Sequence, residues 1–334
     1  MGACLGGEMN HRRRLVVALG ASALAAPFIS FAQPQGKVWR IGFLTPTAGP
    51  DKTVEAIREQ LRALGYVEGS NLVIEYRWGG GKEERLQELA AELVQLKVDV
   101  IVTRTTFVTQ AAKRATSTIP IVMASAANPV SGGVIASLAH PGGNVTGVTS
   151  NSTEIDAKRL QLLRELVPKA ARVATLVGEK SVLKPLFLEE VRTAARQMGI
   201  TLVHQEAGTT EALAGAFGVM QRERAQALIV QSDPFTLNNS KRIADLALQH
   251  RLPTMFANRG FVDAGGLVSY GPSGIEMHRR AAYFVDRILK GAKPADLPVE
   301  QPTKYEMIIN GKTAKTLGLT IPDAVLMRTD EIIK

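Results

Sequence analysis

From Lys37 onward the sequence alternates short apolar runs with amphipathic stretches, and this alternation constrains the fold more than any other feature. KVWRIGFL (Lys37 to Leu44), Asn71 to Trp78 and Val98 to Thr103 read as buried strands. Between them, Val54, Ile57, Leu61 and Leu64 keep to one helical face, as do Leu86, Leu89, Ala90, Leu93 and Val94. Asp51 stands where an N-cap belongs and Gly65 where a helix should stop. Strand–helix alternation of this regularity predicts parallel sheets with helices on both faces. The strands before and after Thr149 fit two such sheets better than one. The expected fold class is therefore α/β, with two doubly wound parallel-sheet lobes joined by crossover hinge segments.

The stretch IVMASAANPVSGGVIASLAHPGGNVTGVT, Ile121 to Thr149, sits between the two halves. Its first residues read as a strand. Asn128, Pro129, Ser131, Gly132 and Gly133 follow as a polar turn, and Val134 to Leu138 is expected to start a helix. Free N–H groups at such a helix N-terminus would welcome an anionic or polar ligand. Val145 to Thr149 reads as a further strand leading to the crossover.

Beyond it, Asn151-Ser152-Thr153 is expected to cap a helix, and the alternation resumes. Strands fall at Arg172–Val177, Thr201–Gln205, Ala227–Gln231, Pro253–Ala257 and Gly266–Tyr270. Helices fall at Pro185–Met198, Glu211–Arg224, Leu237–His250 and Ile275–Leu289. Ligands in open α/β sheets bind outside the carboxyl ends of strands. The loops to watch are therefore 45–49, 103–107, 125–133, 178–182, 232–235, 258–261 and 269–273.

The N-terminus carries its own signal. Arg12-Arg13-Arg14 precede an apolar run, LVVALGASALAAPFISFAQ, with a small-x-small site at Ser30-Phe31-Ala32. Residues 1–32 read as a signal peptide cleaved after Ala32, by the general or the twin-arginine route, which places the protein in the periplasm. The run is short, holds Pro27 and ends in a cleavage site, so no stable membrane insertion of the mature chain is expected. The only cysteine, Cys4, lies in this leader, which removes thiol and disulfide chemistry from the rest. The net charge of +9 hints at a basic surface. Without an arginine–aromatic cluster, however, it does not point to nucleic acid.

Signatures of catalysis are missing. The first strand exits through TPTAGP rather than GxGxxG, and Glu83 replaces the Ser or Thr that a phosphate loop after Gly79-Gly80-Gly81-Lys82 would need. The five histidines show no metal-ligand spacing, and no GxSxG elbow occurs. Neither enzyme, cofactor nor metal is expected. What remains are polar residues at strand ends: Thr45, Thr47, Thr105, Thr106, Ser125, Asn128, Asn151, Asp233, Asn258 and Tyr270. They suit hydrogen bonding to a small polar molecule, although each also suits a cap or turn. Asp233, before Pro234-Phe235, reads as an unpaired acid able to receive an ammonium, with Phe235 as an apolar wall.

Three blocks in order resemble one family, the TrpX-like substrate-binding proteins of ABC transporters, with a type I periplasmic-binding-protein fold. They are ANPVSGGVIASLAHPGGNVTGVT, FVDAGGLVSYGPS and ILKGAKPADLPVEQPTKYEMIINGKTAKTLGLTIPDAVLMRTDEII. The resemblance implies two lobes, 37–148 with 260–298 and 149–259 with 299–334, that close on a ligand by hinge motion. It implies a small polar metabolite as ligand, an amino acid (aromatic in some members) or a related compound. It also implies an ABC permease and ATPase at the inner membrane as partners, and a monomer. A ligand carboxylate would go to Thr or Ser hydroxyls and backbone N–H groups of the first lobe, and an ammonium to Asp233 or a neighbouring acceptor. Asn128 departs from the pattern, standing where many members have Asp before Pro-Val. Two other readings remain open on the residues alone: a periplasmic sensor docking on a membrane receptor, and an exported α/β enzyme.

Overall fold

In the computed structural model the first strand, β1 (Trp39–Thr45), lies second in a five-stranded parallel sheet. The structure describes residue 2 and residues 37–150 and 155–334; the proposed signal peptide and Asn151 lie outside the described residues. The sheet is ordered β2 (Leu72–Trp78), β1, β3 (Val100–Arg104), β4 (Ile121–Ala126) and β5 (Val145–Thr149). Val100, Ile101 and Val102 are each fully buried and point alternately to its two faces. Burial on both faces is why these strands read as continuous apolar runs rather than alternating ones. One face is covered by α1 (Lys52–Ala63), the other by α2 (Glu83–Gln95) and α3 (Thr106–Ala115).

The second sheet has seven strands. β6 (Arg172–Gly178), β7 (Thr201–Ala207), β8 (Ala227–Val230), β9 (Thr254–Phe256) and β10 (Val268–Pro272) are parallel. β11 (Tyr305–Asn310) runs antiparallel to β10, and β12 (Glu331–Ile333) lies on the edge. On one face lie α4 (Asp156–Leu166) and α5 (Lys184–Met198), on the other α6 (Thr210–Arg222) and α8 (Ser240–Gln249). Short helices α7 (Pro234–Asn238) and α9 (Arg259–Asp263) sit at strand exits. The long helix α10 (Gly274–Leu289) returns to cover the first sheet beside α1. α11 (Gly311–Leu317) and α12 (Asp323–Leu326) finish the second lobe.

Two α/β lobes are thus present as expected, but four local expectations change. Residues 260–272, expected in the first lobe, belong to the second, because β10 pairs between β9 and β11. The crossing is at Ser273. The third crossing begins later than 299, since Glu300 still pairs with Val148 of the first sheet, where its N–H donates to Gly147 O. Val134–Leu138 forms no helix: Ala136 N donates to Pro141 O, turning the segment back on itself before a helical turn can close. Leu237–His250 is not one helix but two, α7 and α8, meeting at Asn239. An extended segment is legible in the sequence at 300–309, but neither the antiparallel direction of β11 nor the edge strand β12 carries a separate sequence signal.

Candidate functional site

Strand exits from both lobes face each other across a cleft with two connected compartments. The first, about 610 Å³ and open to solvent, is walled by the exits of β3 and β4 on one side and of β6, β8 and β9 on the other. Six hydroxyl side chains line it: Thr105, Thr106, Ser125, Ser150, Ser181 and Ser232. The second, about 1120 Å³, lies toward the crossing at Ser273 and takes the exits of β1 and β10 together with α9. Arg104, Leu237 and Asn258 belong to both compartments.

On the first-lobe wall, Thr105 caps α3 with φ 73° and ψ 152°. A β-branched residue there costs about 1–3 kcal/mol, and such strain persists only where surrounding contacts hold it. Here its carbonyl accepts from Thr109 N at 3.1 Å and Thr109 Oγ1 at 2.8 Å. The loop after β4, expected to open a helix, is instead stitched to α3. Thr106 Oγ1 donates to Ala127 O, Gln110 Nε2 to Gly132 O at 2.6 Å, and Lys113 Nζ to Val134 O at 2.7 Å. These bonds fix the wall without any helix N-terminus at residues 128–134.

The second-lobe wall is built from buried polar groups. Ser181 Oγ donates to Gln231 Oε1 at 2.8 Å and Asn258 Nδ2 to Ser232 Oγ at 2.7 Å. Asp233 reaches the first compartment but is no unpaired acid. Its carboxylate accepts from Gly178 N at 2.7 Å and from Thr236 N at 2.9 Å, while Thr236 Oγ1 accepts from Asp233 N in a capping box. Burial pushes its pKa up, and the hydrogen bonds from Thr236 and Gly178 work against that rise. A carboxylate so satisfied holds α7 in place, which makes it a poor ammonium receptor.

The polar centre common to both compartments is Arg104. Its Nη1 donates to Asp51 Oδ2 at 2.5 Å, and Asp51 in turn caps α1 through Thr53 N at 2.9 Å. Burial alone would raise the Asp51 pKa, but Arg104 beside it and the hydrogen bond from Thr53 outweigh burial and lower it to about 2. Behind the pair, His278 is buried. Desolvation and the nearby Arg104 charge lower its pKa to about 4, so it is neutral at pH 7, with Nδ1 donating to Gly274 O at 2.8 Å. Among the described residues no group of three or more His, Cys, Asp or Glu could hold a metal ion.

The structure brings Thr105, Thr106, Ser125, Asp233 and Asn258 to the first compartment, and Thr47 and Asn258 to the second. It leaves others outside. Thr45 is fully buried within 3.2 Å of Thr47 Oγ1, and Phe235 packs on the core of the second lobe. Tyr270 stacks on Tyr305 at 6.0 Å between ring centres. Asn128, at φ 42°, lines neither compartment and caps no helix. Sequence reasoning missed Asp51 as more than a cap, and missed Arg104, Lys180, Ser181 and Ser232. The last four lie in loops it had marked, but it passed over two of them as cations, Arg104 and Lys180, and over two serines, Ser181 and Ser232.

Both sides of the cleft touch at its rim. Lys180 Nζ of the second lobe lies 3.0 Å from Glu84 Oε1 of the first, and Lys52 Nζ lies 3.7 Å from Asp263 Oδ2. No helix among the described residues is long and apolar enough to cross a membrane.

Known proteins share this architecture. The family model for ABC transporter substrate binding proteins matches residues 43–333. A tyrosine-binding protein of Clostridioides difficile (strain R20291) is 28% identical over 269 residues, 80% of this chain and 77% of that protein. The crystal structure of a conserved domain protein from Vibrio cholerae superposes with a TM-score of 0.82 at 27% identity, covering 89% of this chain and all of that one. An ABC domain from Streptococcus pneumoniae in complex with L-Trp also superposes with a TM-score of 0.82. It is 26% identical and covers 88% of this chain and 99% of that one.

Proposed function

This chain belongs to the ABC transporter substrate-binding protein family, and we propose that it is the exported subunit that captures an amino acid in the inter-lobe cleft. The family is one of solute-binding proteins, not enzymes. The observation that carries the proposal is a compartment walled by strand exits of both lobes and lined by six hydroxyl side chains, with no reactive pair among them. Hydroxyls hold a zwitterion by hydrogen bonds without reacting with it. An aromatic amino acid is favoured, because a relative is tyrosine-binding and a structural neighbour holds L-Trp. The second compartment, lined by Leu237 and Ile275, offers apolar surface for such a side chain.

Three chain crossings join the lobes, the arrangement that hinge closure needs. The expected sequence of events is export with loss of residues 1–32, capture by closure in the periplasm, and delivery as a monomer to a permease driven by an ATPase.

A thermal-shift screen of the protein spanning residues 33–334 against the amino acids, sugars and nucleosides tests this reading. A ligand at 100 times its Kd adds about 2.7 kcal/mol of stability and moves Tm by a few degrees. Shifts confined to sugars or nucleosides would overturn it.

A further inference from the structure

We propose that Arg104 is the carboxylate anchor of the cleft and that Asp51 is the residue that positions it, so the ligand must carry a free carboxylate. The inference rests on the amino-acid reading and adds the recognition chemistry. It also replaces the carboxylate site of hydroxyls and backbone N–H groups expected from the sequence.

Four cations line the two compartments: Arg104, Lys180, Lys52 and Arg259. Arg259 is spent within its own lobe, on Glu331 through two nitrogens and on Asp263. Lys180 reaches across the rim to Glu84, and Lys52 lies beside Asp263. Arg104 is different. Only Nη1 is used, on Asp51, and neither Nε nor Nη2 has a protein partner among the described residues. The side chain is 12% exposed, which keeps it largely out of water but open to both compartments.

A guanidinium presents its donors in a rigid planar fork that matches a carboxylate. Asp51 holds one edge of that fork, and its own orientation is fixed by the first turn of α1. The open edge is therefore aimed without side-chain freedom to lose on binding. His278, kept neutral by burial, adds no competing charge behind the pair. Thr105 and Ser125 line the same compartment as Arg104, and their hydroxyls can complete the carboxylate shell.

The test compares L-tyrosine with L-tyrosinamide, and L-tryptophan with L-tryptophanamide, by isothermal titration calorimetry. Each amide keeps the ammonium and side chain and loses only the carboxylate charge. The wild-type protein should prefer each acid by on the order of 10- to 100-fold, the ratio a charged hydrogen bond supports. Arg104→Met should reduce that preference to near unity, and Arg104→Lys should restore part of it. Asp51→Asn, which leaves the guanidinium in place but loosens it, should lower the acid's affinity severalfold and leave the amide's unchanged. If the arginine variants do not fold, the Asp51→Asn comparison carries the test by itself.

Equal binding of acid and amide by the wild-type protein would overturn the anchor while leaving an amino-acid binder. So would an acid-to-amide ratio that Arg104→Met or Asp51→Asn leaves unchanged. Failure of the wild-type protein to bind any amino acid would sink the parent reading, and this inference with it.

Discussion

Gly81→Ala separates closure of the cleft from stability of the lobes. Gly81 lies in the turn before α2 with φ 74°, opposite Asn238 at the end of α7 in the other lobe. A methyl group at Gly81 would stand 2.5 Å from Cγ and 2.9 Å from Cβ of Asn238. Two costs follow, and they appear in different measurements. Holding alanine in the left-handed region costs about 1–2 kcal/mol. That cost falls on open and closed forms alike, so it lowers unfolding stability and leaves affinity untouched. The clash with Asn238 exists only while the lobes meet. Relieving it requires an off-rotamer side chain or a small backbone shift, about 1–3 kcal/mol for overpacking of this kind. Under the proposed hinge closure the ligand is held by the closed form, so that cost is expected in affinity, a loss of about 5- to 150-fold. Adding Asn238→Gly removes the contacting side chain and should restore most of the affinity but none of the stability. Calorimetric titration with the amino acid found by screening, beside urea unfolding of the same proteins, reads both costs. Undiminished affinity in a stably folded Gly81→Ala protein would refute the closed-state contact, as would a loss that Asn238→Gly fails to rescue.

Two further outcomes are expected. Asp233→Ala removes the acceptor of Gly178 N and Thr236 N, and should cost about 2–4 kcal/mol in urea unfolding at pH 7; loss of affinity at unchanged stability would show that the carboxylate contacts ligand after all. His278 sets an acid sensitivity. Its folded pKa of about 4 lies below the ordinary imidazole value of 6.5, so as pH falls through this window the unfolded chain takes up a proton that the folded protein refuses. The contribution of His278 to stability therefore declines by about 3 kcal/mol from pH 6.5 toward pH 4 and levels off below. Asp51 makes its change below that window, because its pKa falls from 3.8 in the unfolded chain to about 2 on folding. His278→Leu should flatten the difference in unfolding free energy between pH 7 and pH 4.5, whatever its baseline stability. An unchanged slope would refute a buried neutral imidazole.

The amino-acid sequence by itself determined the class of fold. Apolar runs such as Val100–Val102 and one-sided helices such as Val54, Ile57 and Leu61 admit little besides covered parallel sheets, because each must bury the faces its period exposes. It also marked which loops would meet, since strand polarity alone sends the exits of β3, β4, β6 and β8 to one edge of each sheet. Tertiary structure decided what those loops present. Whether Val134–Leu138 coiled into a helix or turned back depended on Pro141 and on the hydrogen bonds that α3 makes to the loop. Whether Asp233 faced a ligand or two backbone N–H groups depended on Gly178, 55 residues away in sequence. The lobe that owns residues 260–272 was settled by long-range strand pairing with β9 and β11. Arg104 became the centre of the cleft only when Asp51, 53 positions earlier, was folded against it. Periodicity reports what a segment must bury against its own faces. It is silent on partners that arrive from elsewhere in the chain, and the site is built from those.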